Sequence, residues 1–407
     1  MINEFINLMF QELKNISVNN EITKICIIAT EASGDVLASK LIAELKAVFP
    51  LANYSGVGGN LMINQGFSSI FPMEDLALMG IVEILPHLPK ILKRISQTVN
   101  YIKEYNPQIV ISVDSPDFSF RVIKKIQNIK SIKKVHLIAP SVWAYREGRA
   151  KKISKLYDLL LAILPFEPPY FEKYGLKTIF IGHPIIEKNP DFSNANLIKE
   201  NFRSINKISS DDFLLCLTPG SRNSEVKKIF PEMIKAVNEL YQEKTNLKIA
   251  IPIVKKTQDL VRSLSNKINA PHFIIEDQEQ KNSLYLSCDF AIAKSGTNTV
   301  EFSLYKIPII ICYKVNLLTY LILKTLIKIK YANLLNLILN REIIPELLQN
   351  DCNSHNIHKE LKRFIDDKNL SLKQINDTQK ALEMIGLNSN ISASKKACNA
   401  IFDLLKK

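Results

Sequence analysis

Four short stretches carry residues able to do chemistry, and each follows an apolar run. "EASGD" sets Glu31, Ser33, Gly34 and Asp35 behind "KICIIAT", and "DSPDF" sets Asp114 at the end of "QIVISV". A carboxylate there can act as a general base toward a hydroxyl, or it can cap a helix beginning near Phe118. "PGSR" places Gly220, Ser221 and Arg222 behind "DFLLCLT", and "KSGT" places Ser295, Gly296 and Thr297 behind "DFAIA", with Glu301 a turn further on. Backbone amides at such turn-to-helix junctions, with a cation beside them, favour a diphosphate. Two junctions in one half of the chain suit a nucleoside diphosphate held between them. The bland alternatives stay open: a Gly-Ser turn is ordinary helix punctuation, and Ser33 or Asp35 fits an N-cap as well as a site. Neither a P-loop nor a G-x-G-x-x-G fingerprint occurs.

The elements that must position these residues are legible from periodicity. Behind "EASGD", Val36, Leu37, Leu41, Leu45 and Val48 recur at helical spacing, so residues 31–35 form a strand-to-helix turn. Apolar runs alternate with helical patterns in two series. The first is "KICIIAT", "NYSGVGG", "QIVISVDS", "KKVHLIAPS", "LLLAIL" and "KTIFIG"; the second is "DFLLCLTPG", "LKIAIPIV", "HFIIED", "DFAIAKSG" and "IPIIICY". Such alternation predicts parallel βαβ units, hence an α/β protein of two doubly wound, Rossmann-like domains facing a cleft. The expected division is an N-terminal extension over 1–23, an N-terminal Rossmann-like domain over 24–186, a C-terminal Rossmann-like domain over 187–385 that binds the nucleotide, and a terminal helix over 386–407 that docks onto either domain.

The 407 residues are too many for one ordinary core, and 53 Lys and Arg against 40 Asp and Glu give a net charge of +13. The excess favours an anionic partner: nucleic acid, a membrane surface or a phosphorylated substrate. No nucleic-acid module is recognisable and the basic residues are dispersed, which argues against nucleic acid. Six scattered cysteines, never in a C-x-x-C pair, predict reduced core thiols of a cytoplasmic protein and no zinc site. No signal peptide is evident, and no apolar run approaches the ~20 residues of a membrane span. Residues 302–341 contain no Asp or Glu, yet hold Lys306, Lys314, Lys324, Lys328, Lys330 and Arg341 among leucines. That pattern suits a helix at an anionic membrane interface; a buried helix pair or a homodimer contact explains it nearly as well. The sole tryptophan, Trp143, precedes a basic helical stretch and can stack a base, lie near a phosphate or flank a solvated helix face.

Taken together these residues resemble the lipid-A-disaccharide synthases, bacterial glycosyltransferases of the two-domain B type. The matching stretches run in order from 24 to about 345: "EASGD", "GVGG" with "LM", "MGIVEIL" containing Met79 and Gly80, "DSPDF", "APSVWAY", "LPFE", "GHP", "PGSR", "SGT" with Glu301, and "YANLLN" containing Asn333. Thr30, Ala38 and Thr218 depart from the pattern without removing a polar group the chemistry needs.

The resemblance implies transfer of 2,3-diacylglucosamine from UDP-2,3-diacylglucosamine to 2,3-diacylglucosamine 1-phosphate, giving a β-1′,6-linked disaccharide 1-phosphate and UDP. It implies that Arg222, Ser221 and Ser295 to Thr297 neutralise the leaving diphosphate and that Glu301 binds the ribose; inversion at the sugar then calls for one base, and Asp114 is the expected one, as base or as an orienting residue. Glu31, Ser33, Gly34 and Asp35 would border the acceptor, with Met79, Gly80 and Asn333 as further substrate contacts. No metal ion or other cofactor is implied. The expected location is cytoplasmic, peripheral to the inner face of the inner membrane. The rival readings are another B-type UDP-sugar enzyme, such as an epimerase or a lipid-intermediate glucosaminyltransferase, and a non-catalytic peripheral lipid-binding protein.

Overall fold

The computed structural model describes residues 21–76, 88–144, 148–316, 320 and 329–406. The chain forms two compact units, one running to Pro184 and resuming at Ser389, the other spanning Ile185–Asn388. The "MGIVEIL" stretch with Met79 and Gly80, most of the N-terminal extension and much of the Lys-Leu stretch around 317–328 lie outside the described residues.

The first unit holds a seven-stranded parallel sheet. Its strands are β1 (Lys24–Ala29), β2 (Asn53–Val57), β3 (Ser68–Ser69), β4 (Ile109–Val113), β5 (Lys133–Leu137), β6 (Leu159–Ala162) and β7 (Thr178–Phe180), ordered β3-β2-β1-β4-β5-β6-β7. Alternate residues of β1 feed opposite faces: Ile25, Ile27 and Ala29 enter one core, Cys26 and Ile28 the other. This two-sided burial is why the strand reads as a continuous apolar run instead of an alternating one. The terminal helix Ala393–Leu405 completes the first of these cores through Ala397, Cys398, Ile401 and Leu404.

The second unit holds a six-stranded parallel sheet: β8 (Phe213–Thr218), β9 (Leu247–Pro252), β10 (His272–Ile275), β11 (Phe290–Lys294), β12 (Ile309–Tyr313) and β13 (Glu346–Leu348), ordered β10-β9-β8-β11-β12-β13. The long helix Asn223–Glu243 covers it with Val226, Ile229, Phe230, Met233 and Val237. Both sheets reverse winding direction at one place, between β1 and β4 in the first and between β8 and β11 in the second. Ligands of open α/β sheets bind outside the strands' carboxyl ends at such switch points.

The strands β3 and β13 are absent from the sequence expectations. Two and three residues long, they carry too little pattern to be read locally and exist because a neighbouring strand offers an edge. The described cysteines are free thiols, buried except for the half-buried Cys288.

Candidate functional site

All four chemistry-bearing stretches sit at the two switch points. In the first unit, Glu31 and Ser33 follow β1, and Asp114 follows β4, its neighbour in the sheet. Asp114 and Ser115 both take left-handed backbone angles, φ 52° and φ 42°, a conformation disfavoured for non-glycine residues. The turn is held by the Asp114 amide donating to the Leu137 carbonyl at 3.0 Å and the Ser115 amide donating to Asp114 Oδ1 at 2.8 Å. Ser115, not Asp114, occupies the N-cap position of helix Pro116–Ile126, and it makes no side-chain cap bond. Ser33 Oγ donates to Asp114 Oδ2 at 3.4 Å, so the two stretches meet across the switch point. Glu31 lies close by: partial burial first, then the negative charge of Asp114, raise its carboxyl above the ordinary glutamate value, against a hydrogen bond from Ser115.

Two expectations for "EASGD" need correction. The N-cap of helix Ala32–Val48 is Glu31, in extended conformation and without a side-chain cap bond, so neither Ser33 nor Asp35 caps that helix. Asp35 is buried and faces the "GVGG" turn. Its Oδ1 accepts from the amides of Gly59 at 3.0 Å and Met62 at 3.1 Å, and its Oδ2 from Leu61 at 3.0 Å. A Cβ at Gly59 would fall 2.5 Å from Asp35 Oδ2, which is why that position is glycine. Asp35 thus anchors the neighbouring turn, and Gly34 packs close to Ala29 and the Val113 carbonyl between β1 and β4.

Trp143 is tied to the segment that follows β6. Its indole Nε1 donates to Glu167 Oε1 at 3.1 Å, and its ring meets Phe166 edge-on. Glu167 is buried, and its Oε2 also accepts from the amides of Ile163 and Leu164 at 3.1 and 3.0 Å. Burial pushes its carboxyl up to about 7, against the three hydrogen bonds that favour the charged form. Trp143 and the "LPFE" stretch are therefore joined beyond the ends of β5 and β6.

In the second unit both expected anion turns line one cavity of about 450 Å³. Gly220 and Ser221 come from the turn after β8; Gly296 and Thr297 come from the turn after β11; Glu276, Asp277, Lys281, Lys294 and Glu301 are its charged lining. Gly220 needs its φ of +131°, and a Cβ there would meet Glu225 at 2.8 Å. Arg222 is the N-cap residue of helix Asn223–Glu243, largely exposed, and 3.6 Å from Glu225. Glu301 is gripped by Lys188 Nζ at 2.8 Å and Lys281 Nζ at 3.2 Å. Burial acts to raise the Glu301 carboxyl, but the hydrogen bonds and charges of the two lysines outweigh it and hold the group below the ordinary value.

Asn333 and Ser295 are both engaged by their neighbours in the second unit. Asn333 is buried, its Oδ1 caps helix Leu334–Leu339 through the Leu335 amide at 2.8 Å, and its Nδ2 donates to Thr299 Oγ1 at 2.9 Å. Ser295 Oγ donates to the Ala332 carbonyl at 3.3 Å. Asn336, which sequence reasoning passed over, accepts from the amides of Ile343 and Ile344 and donates to the Ile344 carbonyl and Glu346. The "YANLLN" stretch is thus a polar clamp that holds the chain against the Ser295–Thr299 turn. Repeated Asn in an otherwise apolar run was the available signal.

The order of strands and the two switch points define an α/β protein of two Rossmann-like units, with the fold of the B-type glycosyltransferases. Solved structures carry the same fold: the S. aureus MnaA-UDP co-structure, with TM-score 0.64 at 16% identity over 94% of this chain and 97% of the other. UDP-GlcNAc 2-epimerase from Neisseria meningitidis bound to UDP-GlcNAc gives 0.62 at 13%, over 94% and 100%. MurG of Acinetobacter baumannii gives 0.55 at 11%, over 89% and 99%. The sequence distinguishes among these activities. A family model described as lipid-A-disaccharide synthetase matches residues 25–401. Lipid-A-disaccharide synthases of Rhodospirillum centenum and Rickettsia bellii are 36% and 40% identical, over 94% and 93% of this chain and 95% and 98% of their own lengths. The chain belongs to the lipid-A-disaccharide synthase family, glycosyltransferases of lipid A biosynthesis. Among the described residues, no helix is long and apolar enough to cross a membrane.

Proposed function

We propose that this chain transfers 2,3-diacylglucosamine from UDP-2,3-diacylglucosamine to the 6-hydroxyl of 2,3-diacylglucosamine 1-phosphate, with inversion at the anomeric carbon. The products are the β-1′,6-linked disaccharide 1-phosphate and UDP. The observation that carries the reading is the convergence of the Gly220-Ser221 and Gly296-Thr297 turns on one cavity at the β8/β11 switch point. That edge receives the UDP part of the donor, with Arg222 and the two turns stabilising charge that builds on the departing diphosphate. Glu301, on the cavity wall, takes the ribose hydroxyls.

The acceptor belongs at the β1/β4 edge. Asp114 takes the proton of the attacking 6-hydroxyl as its oxygen bonds to the anomeric carbon and the bond to the diphosphate breaks. The left-handed turn at Asp114 and Ser115 projects that carboxylate past the strand end, and Ser33 orients it. Glu31 and Gly34 border the same edge. The acyl chains and an anionic inner leaflet account for the lysine- and leucine-rich composition of residues 314–340, and the protein acts peripherally on the cytoplasmic side.

The test is a mass-spectrometric assay of the purified full chain with both lipids in detergent, with and without chelator, beside Asp114→Asn. Disaccharide 1-phosphate and UDP from the wild type, with kcat lowered about 10²- to 10⁴-fold in the variant and donor affinity kept, is the expected result. No product from folded wild-type protein at any acyl length tried refutes the reading in favour of another UDP-sugar enzyme.

A further inference from the structure

Glu225 presents a puzzle at a cavity read as a diphosphate site: a buried carboxylate beside the place where anionic oxygens should lie. Its partners resolve the puzzle. Oε2 accepts from the Ser221 amide at 3.1 Å, while Oε1 lies 3.1 Å from Lys294 Nζ and 3.6 Å from Arg222 Nη1. Helix capping explains the first contact, since an acid in the first turn meets free amides and the positive end of the dipole. It does not explain Lys294, which arrives from the end of a different strand, β11, immediately ahead of the Ser295–Thr297 turn.

One carboxylate therefore ties both switch-point turns together and holds two cations of different character. Lys294 is mostly buried, with its side chain 19% exposed, and lines the cavity; Arg222 is 67% exposed and loosely held. The other cavity lysine, Lys281, is engaged by Glu301. We propose that Lys294 is a further cation for the leaving diphosphate and that Glu225 is the positioning residue that keeps Lys294, the Ser221 amide and Arg222 around one spot. This rests on the UDP-sugar reading above. Before ligand arrives, Glu225 offsets the mutual repulsion of the two cations; a diphosphate then supplies the negative charge they face, with Lys294 already fixed and Arg222 free to turn onto it.

Calorimetric titration of the full chain with UDP and with uridine tests the assignment, because uridine lacks the diphosphate. Lys294→Met and Lys294→Gln are expected to bind UDP about 10- to 100-fold more weakly with uridine affinity unchanged, and Lys294→Arg to stay within a few-fold of wild type. Glu225→Gln should weaken UDP in the same selective way. Combined with Lys294→Met it should cost less than the sum of the two single effects, because both act through one contact. Unchanged uridine binding shows that each variant is folded. Wild-type affinity for UDP in both Lys294→Met and Lys294→Gln overturns the role of Lys294 while leaving the UDP reading intact. Additive effects in the double variant overturn the role of Glu225. Wild-type protein that binds neither UDP nor uridine overturns the proposal together with the reading it rests on.

Discussion

The contact between Trp143 and Glu167 should make the protein's own fluorescence a pH meter for one buried carboxyl. Trp143 is the only tryptophan among 407 residues, and its indole donates directly to Glu167. Burial raises Glu167 from 4.5 to about 7, so between those values the folded protein holds a neutral carboxyl where the unfolded chain already carries a charge. The unfolded state then binds fewer protons than the folded one, and stability must fall as pH rises. The fall begins near 4.5, runs at roughly 1.4 kcal/mol per pH unit, and is complete near 7, for a total of about 3 kcal/mol. Emission of Trp143 followed from pH 5 to 9 should change with one midpoint near 7, and Glu167→Gln should flatten it. Urea unfolding at pH 5 and pH 8 should show wild type losing stability between the two while Glu167→Gln loses about 2 to 3 kcal/mol less. A flat fluorescence profile in the wild type, or an unchanged midpoint in Glu167→Gln, would refute the argument.

Other perturbations probe the supports of the two switch points. Asp35→Ala removes the acceptor of the Gly59, Leu61 and Met62 amides at the start of helix Asn60–Asn64 and is expected to cost about 2 to 4 kcal/mol, read as a lower urea midpoint. Asn336→Ala leaves the amides of Ile343 and Ile344 without their side-chain acceptor and should lower stability by about 2 to 3 kcal/mol, with faster hydrogen exchange at those two amides. Gly56→Ala places a Cβ 2.2 Å from the Ile27 carbonyl oxygen at a φ of +137° and should abolish soluble folded protein, checked by circular dichroism of the expressed chain.

The α/β class, the two series of strands and the placement of the polar stretches at strand ends were set by sequence alone. Strands buried on both faces read as unbroken apolar runs, as in "KICIIA", and the glycines and prolines behind them mark where the chain must turn. The polar residues at those turns were legible as a group, because polarity interrupting a buried run needs a reason. Their individual jobs were not. Asp35 and Asp114 stand in similar local contexts, yet one carboxylate is consumed by amides of residues 59–62 and the other is held out on a left-handed turn. Asn333 is a buried cap, and Glu225 and Glu167, to which the local pattern gave no role, hold together segments distant in sequence. Hydrogen-bond partners are chosen by strand order, which brings β1 beside β4 and β8 beside β11. Strand order is a property of how all the apolar faces pack at once, and no local window contains it.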